Sequence, residues 1–225
     1  MPQLSILICT VPERERKFKV LMEMLQAQIA ALPDPKQVEI LFDPQVGISV
    51  GTKRNRLMLL ATGEYLCFVD DDDRIFGDYV VKILNALKTK PDAVGITVLL
   101  TTEGLRPEVH SHFALSSTSY HVDKDVGQIT RGVCHLNPIR ATIAKSIHFK
   151  DISNAEDMQW SSVINPKVRN SVNLKEPIYY YDFLPSKTLT QKPKPKAQSL
   201  PGLVHNAGRL RITKPVSVPN ARRRR

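Results

Sequence analysis

Tyr65-Leu66-Cys67-Phe68-Val69-Asp70-Asp71-Asp72-Asp73 runs from five largely apolar residues straight into four adjacent carboxylates. A short apolar run bounded by polar residues reads as a buried strand. Four neighbouring carboxylates repel one another unless a cation sits among them. Side chains alternate along an extended segment, so Asp70 and Asp72 point to the same side. Two carboxylates so placed can hold Mg2+ or Mn2+ and leave coordination positions for phosphate oxygens. Such an ion neutralises charge that builds on a departing diphosphate. The competing reading is an acidic surface turn, with Asp73 capping the next helix.

Working outward, the flanking segments alternate in type. On the N-terminal side, Lys53 to Ala61 reads as a helix closed by Gly63, and Val38 to Phe42 as a strand ending at Asp43-Pro44. Before these, Phe18, Leu21, Met22, Leu25, Ile29 and Leu32 recur at spacings of three and four, one face of an amphipathic helix stopped by Pro33 and Pro35. Leu4 to Cys9 is a further apolar strand, opening into Thr10, Val11 and Pro12. On the C-terminal side, Tyr79, Val80, Ile83, Leu84 and Leu87 mark a helix, and Ala93 to Leu100 a strand. This succession predicts an α/β fold with a mostly parallel central sheet flanked by helices. Ligands of such sheets bind at the C-terminal ends of the strands. Thr10, Glu13, Arg14, Asp43 and Asp70 to Asp73 would therefore share one rim.

Beyond Leu100 the pattern is less regular. His110 to Tyr120 and Gly127 to Leu136 read as strands or loops, Ile139 to Ser146 and Glu156 to Ile164 as short helices, and Ile178 to Phe183 as an aromatic strand. From Pro185 prolines and basic residues dominate, with Lys192-Pro193-Lys194-Pro195-Lys196 resembling an extended linker. The expected division is a catalytic domain over 1–184 and a basic, proline-rich extension over 185–225.

The formal net charge is +10, and residues 184–225 contain no Asp or Glu. A basic surplus favours a polyanionic partner, nucleic acid or an anionic membrane surface, over a neutral one. No apolar run is long enough for a transmembrane helix, and no secretory leader is evident at the N-terminus. Cys9, Cys67 and Cys134 are odd in number and widely spaced, which fits reduced thiols and a cytoplasmic setting.

Glu156-Asp157 precedes Met158, Gln159 and Trp160. A carboxylate at a helix start is stabilised by the helix dipole. It can also act as a general base, and Asp157 is placed to take the proton of an acceptor hydroxyl. Trp160 would then offer an apolar wall nearby.

The segment Gly51 to Asp73, with its Arg54-Asn55, its Ala61-Thr62-Gly63-Glu64-Tyr65 and its acidic run, resembles family 2 glycosyltransferases of the GT-A fold. Leu4 to Thr10 and Val38 to Asp43 resemble their first two strands, and Glu156-Asp157 with Trp160 their E-D-x-x-W element. The resemblance spans roughly residues 4–165. It implies a nucleotide-sugar donor, UDP-linked in most members, and inverting transfer. It places Thr10, Glu13 and Asp43 at the nucleotide, with Asp43 toward the base. Lys53, Arg54 and Asn55 would lie near the base or diphosphate. Asp70 and Asp72 form the D-x-D pair for Mn2+ or Mg2+, with Asp71 between them. Asp157 is the implied base, and Glu156 orients it or the acceptor. His205 is the candidate third metal ligand. Arg131 and His135 are candidates for contact with phosphate or acceptor. One departure stands out: the second strand ends in Asp43-Pro44-Gln45 instead of paired acids followed by Gly-Ser.

The acceptor is open at this level. A hydroxymethylated base in viral DNA suits the basic C-terminus, through phosphate contacts and a flipped base. A saccharide or lipid-linked acceptor is the alternative, with the tail on anionic lipid. A metal-dependent nuclease would use the same aspartates.

Overall fold

The computed structural model describes residues 1–113, 121–123, 128–184 and 208–210. Its N-terminal half follows the expected alternation. Strand β1 (Leu4–Cys9) leads through a 3-10 turn into helix α1 (Glu15–Ala30), then β2 (Val38–Asp43), α2 (Val50–Leu60) and β3 (Tyr65–Phe68). A two-residue strand β4 (Arg74–Ile75), helix α3 (Tyr79–Leu87) and the long strand β5 (Ala93–Thr102) follow. The remaining elements are β6 (Leu105–His112), β7 (His121–Asp123), β8 (Gln128–Arg131), β9 (Ile139–Arg140), α4 (Ala141–Ala144), α5 (Glu156–Ile164), β10 (Ser171–Phe183) and β11 (Gly208–Leu210).

The sheet is mixed. Strand β1 pairs in parallel with β2 on one side and β3 on the other, so Cys9, Asp43 and Phe68 end on a common rim. Short β9 then runs antiparallel between β3 and β5. Strand β10 lies parallel to β5 and antiparallel to β4, while β6 is antiparallel to β5. Parallel pairing is thus confined to β2-β1-β3 and to the β10-β5 and β6-β8 pairs. After Leu100 the neighbours β5 and β6, and β7 and β8, pair antiparallel. Strand β11, within the basic C-terminal stretch, pairs antiparallel with the outer edge of β2.

Alternation along β1 separates two cores. Leu4, Ile6 and Ile8 pack with Leu21, Leu25 and Ile29 of α1 and with α3. Leu7 faces the other way, toward Leu57 of α2, Phe68, Phe149 and Trp160 of α5. Each such side chain contributes about 1.5–3 kcal/mol on full burial, and the two layers clamp the three parallel strands from both faces. Helix α2 begins earlier than its apolar pattern suggests because the Ser49 hydroxyl caps it, accepting from the Thr52 N–H. Gly63 does not supply a left-handed turn. It allows close approach, since a Cβ there would lie 2.4 Å from the Ser5 hydroxyl. Its N–H instead donates to Ser5 Oγ and to Glu39 Oε1, tying the turn before β3 to β1 and β2. No helix among the described residues is long and apolar enough to cross a membrane.

Candidate active site

The rim at the ends of β1, β2 and β3 gathers the polar residues. After β3 the chain passes through Val69 into the four aspartates. They are not equivalent. Tyr179 of β10 accepts from the Asp70 N–H (3.1 Å) and donates to Asp73 Oδ2 (2.7 Å). Asp73 is therefore a buried bracket between β3 and β10, and burial followed by the charge of Asp70 pushes its pKa well above the carboxylate range. Asp71 is 1% exposed. Arg14, in the turn after β1, donates through Nη1 to Asp71 at 2.8 Å and to Asp72 at 2.9 Å. Burial raises the pKa of both carboxyls, with Arg14 opposing.

Asp70 faces a different pair of cations. Its carboxylate lies 3.4 Å from Arg54 Nη2 and 3.4 Å from His135 Nε2. Burial alone would raise its pKa, but His135 and Arg54 outweigh it and leave the group at about 2. His135 reaches this place because its carbonyl accepts from the Phe68 N–H at 2.8 Å, which lays the segment before β9 along the end of β3. Asn137 fixes the same turn, accepting from the Cys134 N–H and donating to the carbonyls of Val94 and His112.

The other imidazole nitrogen of His135, Nδ1, stands 3.4 Å from Asp157 in the first turn of α5. Burial and Arg54 push the imidazole down, yet Asp70 and Asp157 outweigh them and its pKa is raised. Asp157 moves the opposite way. Burial opposes its ionisation, but His135 and then Arg54 and Arg131 hold its pKa well below the usual range. Neighbouring Glu156 is buried, 3.5 Å from Arg54 Nη1. Arg54 itself is 4% exposed and lies between the rings of Phe68 and Phe149, 5.2 and 5.4 Å from their centroids. One guanidinium thus links the acidic run to the start of α5.

Several expected site residues have other occupations. Asp43 is 0% exposed, accepts from the Gln45 N–H, and has Arg56 Nη1 3.4 Å from its second oxygen. That oxygen has no hydrogen-bond partner. Asn55 is committed to the backbone of Phe149, donating at 2.9 Å and accepting at 2.8 Å. This staples α2 to the segment before α5. Trp160 is no exposed wall: it is 2% exposed and stacked on Phe149 at 4.8 Å. It supports the ring that covers Arg54. Lys53 is buried beneath the rim, donating to the Thr10 carbonyl at 2.6 Å; burial lowers its pKa against the pull of Cys9 and Asp43. Thr10 is buried at the end of β1, and Glu13 is exposed on the 3-10 turn. Arg131, at the end of β8, lines a cavity shared with Asp157. His205 lies outside the described residues. Arg14 was expected on the rim but given no partner, and Tyr179 was not singled out. Their partners are chosen by the path of the chain after β1 and along β10, and no local spacing signals it.

The site is thus an acidic rim after the third strand of an α/β sheet, faced by an Asp at a helix start. The glycosyl transferase family 2 profile matches residues 22–147, and the chain belongs to that family. The fold is that of GT-A enzymes. A crystal structure of S. aureus TarS 1-349 superposes with a TM-score of 0.59 at 16% identity, covering 81% of this chain and 60% of that one. The structure of TarS 1-349 in complex with UDP-GlcNAc gives 0.57. Against the longer TarS structure the chain spans 37% of the length. No curated protein matches in sequence.

Proposed function

We propose that the chain is an inverting, cation-assisted transferase that moves a sugar from a UDP-linked donor to an acceptor hydroxyl. The observation that carries this reading is the bridge Asp70–His135–Asp157, with both separations 3.4 Å. It sets a diphosphate-side carboxylate and an acceptor-side carboxylate on opposite edges of one imidazole. A sugar placed there would have its leaving group at the acidic run and its attacking hydroxyl at Asp157. TarS is described in complexes with UDP and UDP-GlcNAc, which supports a uridine donor here.

The carboxylates suit a cation that arrives with the diphosphate. Asp70 and Asp72 leave 38% and 30% of their side chains exposed, and both offer hard oxygens. No group of three or more His, Cys, Asp or Glu able to hold a metal occurs among the described residues. A Mg2+ or Mn2+ that keeps waters and binds phosphate oxygens needs only one or two carboxylates. Such an ion would neutralise the departing diphosphate. Arg14 and Arg54, already facing the same oxygens, would turn to the phosphates as charge leaves the carboxylates. Inversion is what the resemblance to the family implies. Asp157, 23% exposed on its side chain, would take the acceptor proton in a single displacement, while Glu156 is buried against Arg54.

A hydroxymethylated base in DNA was expected from the basic extension, of which only Gly208–Leu210 is described. The family and fold comparisons lend that acceptor no support. The test is incubation with a panel of nucleotide-sugars and Mn2+. Release of UDP, lost in Asp157→Asn by about 100-fold or more, and a product of inverted anomeric configuration by NMR are expected. Plasmid nicking without donor use would replace this reading with a nuclease.

A further inference from the structure

One phenol holds both ends of the acidic run. Past Phe68 the chain leaves the sheet, after a last bond from the Val69 N–H to the Leu7 carbonyl at 3.0 Å. It then turns on itself. The Asp73 N–H donates to the Asp70 carbonyl at 3.2 Å, so Asp70 to Asp73 form one tight turn. The Tyr179 hydroxyl meets that turn at its two ends, accepting from the Asp70 N–H at 3.1 Å and donating to Asp73 Oδ2 at 2.7 Å. Resting on the transferase reading above, we propose that Tyr179 is a positioning residue for the cation. Its hydroxyl sets the spacing of the Asp70 and Asp72 carboxylates, and with it their affinity for Mg2+ or Mn2+.

The clamp stands on a fixed strand. Tyr179 is 0% exposed, and its position in β10 is paired with Ile75 of β4 on one side and Val98 of β5 on the other. The Phe76 N–H donates to the Ile178 carbonyl at 3.0 Å, so the chain leaving the turn is tied to the same strand. The ring of Tyr79 packs against that of Tyr179, with centroids 6.4 Å apart. The turn itself lacks such support. Its neighbouring carboxylates repel one another, and that repulsion works to open it. A single hydroxyl that accepts at one end and donates at the other opposes the opening.

Spacing matters to the ion. Mg2+ demands near-ideal octahedral geometry and takes only one or two carboxylates from a protein. A turn that loosens therefore weakens binding without any change in the ligands themselves. A tyrosine hydroxyl has one proton to donate and can accept as well, and both capacities are used here. Removing it leaves the Asp70 N–H and the buried Asp73 carboxyl without this partner, at the two ends of the turn that carries Asp72.

The experiment uses the full chain. Mn2+ binding is measured by isothermal titration, alone and with saturating UDP. Tyr179→Phe keeps the ring and removes the hydroxyl, and Mn2+ affinity should fall about three- to tenfold, as the loss of neutral hydrogen bonds requires. Tyr79→Phe is the contrast. It takes a hydroxyl from the neighbouring buried ring, where the partner is Cys67 Sγ at 3.6 Å, and should leave Mn2+ affinity unchanged. Melting temperature is recorded for every variant. Should Tyr179→Phe fail to fold, Asp73 reports on the same clamp from its other end. Asp73→Ala should weaken Mn2+ binding, and Asp73→Asn, which keeps an acceptor oxygen for the hydroxyl, should restore most of it. Mn2+ affinity unmoved in Tyr179→Phe, or lowered equally in Tyr179→Phe and Tyr79→Phe, overturns the proposal. So does a failure of the unaltered chain to bind Mn2+, and release of UDP by that chain would then leave the transferase reading standing alone. Tyr179-dependent Mn2+ binding without turnover of any nucleotide-sugar would uphold the role of Tyr179 and remove the transferase reading.

Discussion

His135 Nδ1 stands 3.4 Å from Oδ2 of Asp157, so the start of helix α5 is coupled by charge to the turn that carries the histidine. The far nitrogen of the same ring faces Asp70. Against the effect of burial, the imidazole lowers the pKa of both carboxylates and the two carboxylates raise that of the imidazole.

The first prediction concerns His135→Gln. Removing the cation frees the Asp157 carboxyl to rise toward the ordinary range of about 4. The acid limb of the pH–rate profile should move up, and turnover at neutral pH should fall about 10- to 100-fold as Asp157 loses its fixed orientation. Stability should respond in the same sense. Asp70 titrates at about 2 in the folded chain, below the value of about 3.9 for a free Asp. Its contribution is therefore complete above pH ~4 and lost as pH falls through about 2. In His135→Gln acid unfolding should begin at higher pH. An unmoved acid limb together with an unmoved acid-unfolding midpoint would separate His135 from both carboxylates.

The second prediction concerns Arg54, which is buried between two rings and faces Asp70 and Glu156. Removing one partner of a buried charge group leaves the others uncompensated, so Arg54→Ala should cost about 3–5 kcal/mol in denaturant unfolding. Arg54→Lys keeps the charge but loses the planar fork and the ring contacts. It should recover part of the stability and little of the turnover. Full recovery of turnover by lysine would reduce Arg54 to a structural cation.

The parallel half of the fold was legible because its signals are local. The apolar runs of β1 and β3 and the i, i+3, i+4 stripe of α1 each state their element within a few residues. The bounds of α5, Glu156–Ile164, were legible for the same reason. Strands β4 and β9 were not, since two residues carry no pattern and exist only through their pairing with β10, β3 and β5. Strand β10 begins at Ser171, well before the aromatic run at Ile178, because Lys175-Glu176-Pro177 interrupts the alternation and the register shifts there. At the candidate site, residue type drew the eye to the acidic run and to Asp157, which the structure brings to the same rim through His135. Which cation serves which carboxylate was illegible. Arg14, Arg54 and His135 are separated by tens of residues and are matched to Asp70, Asp71 and Asp72 only by the sheet. Asn55 and Trp160, singled out in the sequence, both meet Phe149, a contact between α2, the segment before α5 and α5 that no local pattern signals.

The last prediction follows from the single guanidinium nitrogen that Arg14 gives to Asp71 and Asp72. A divalent cation bound at Asp72 has to compete with that nitrogen, since both seek the same partly exposed oxygens. Without nucleotide, Arg14→Ala should bind Mn2+ about two- to fivefold more tightly, the worth of a part-exposed ion pair. With UDP present the order should reverse. Arg14 can then donate to the diphosphate, and its loss should weaken UDP binding in the presence of Mn2+. Asp72→Asn should lower Mn2+ affinity and turnover together while leaving the melting temperature close to that of the unaltered chain, because Asp72 is the most solvent-accessible partner of Arg14 and brackets no strand. Isothermal titration with Mn2+, alone and with UDP, measures each effect. If neither substitution changes Mn2+ affinity, the cation is not held at Asp72, and charge on the leaving diphosphate must be met by Arg14, Arg54 and His135 alone.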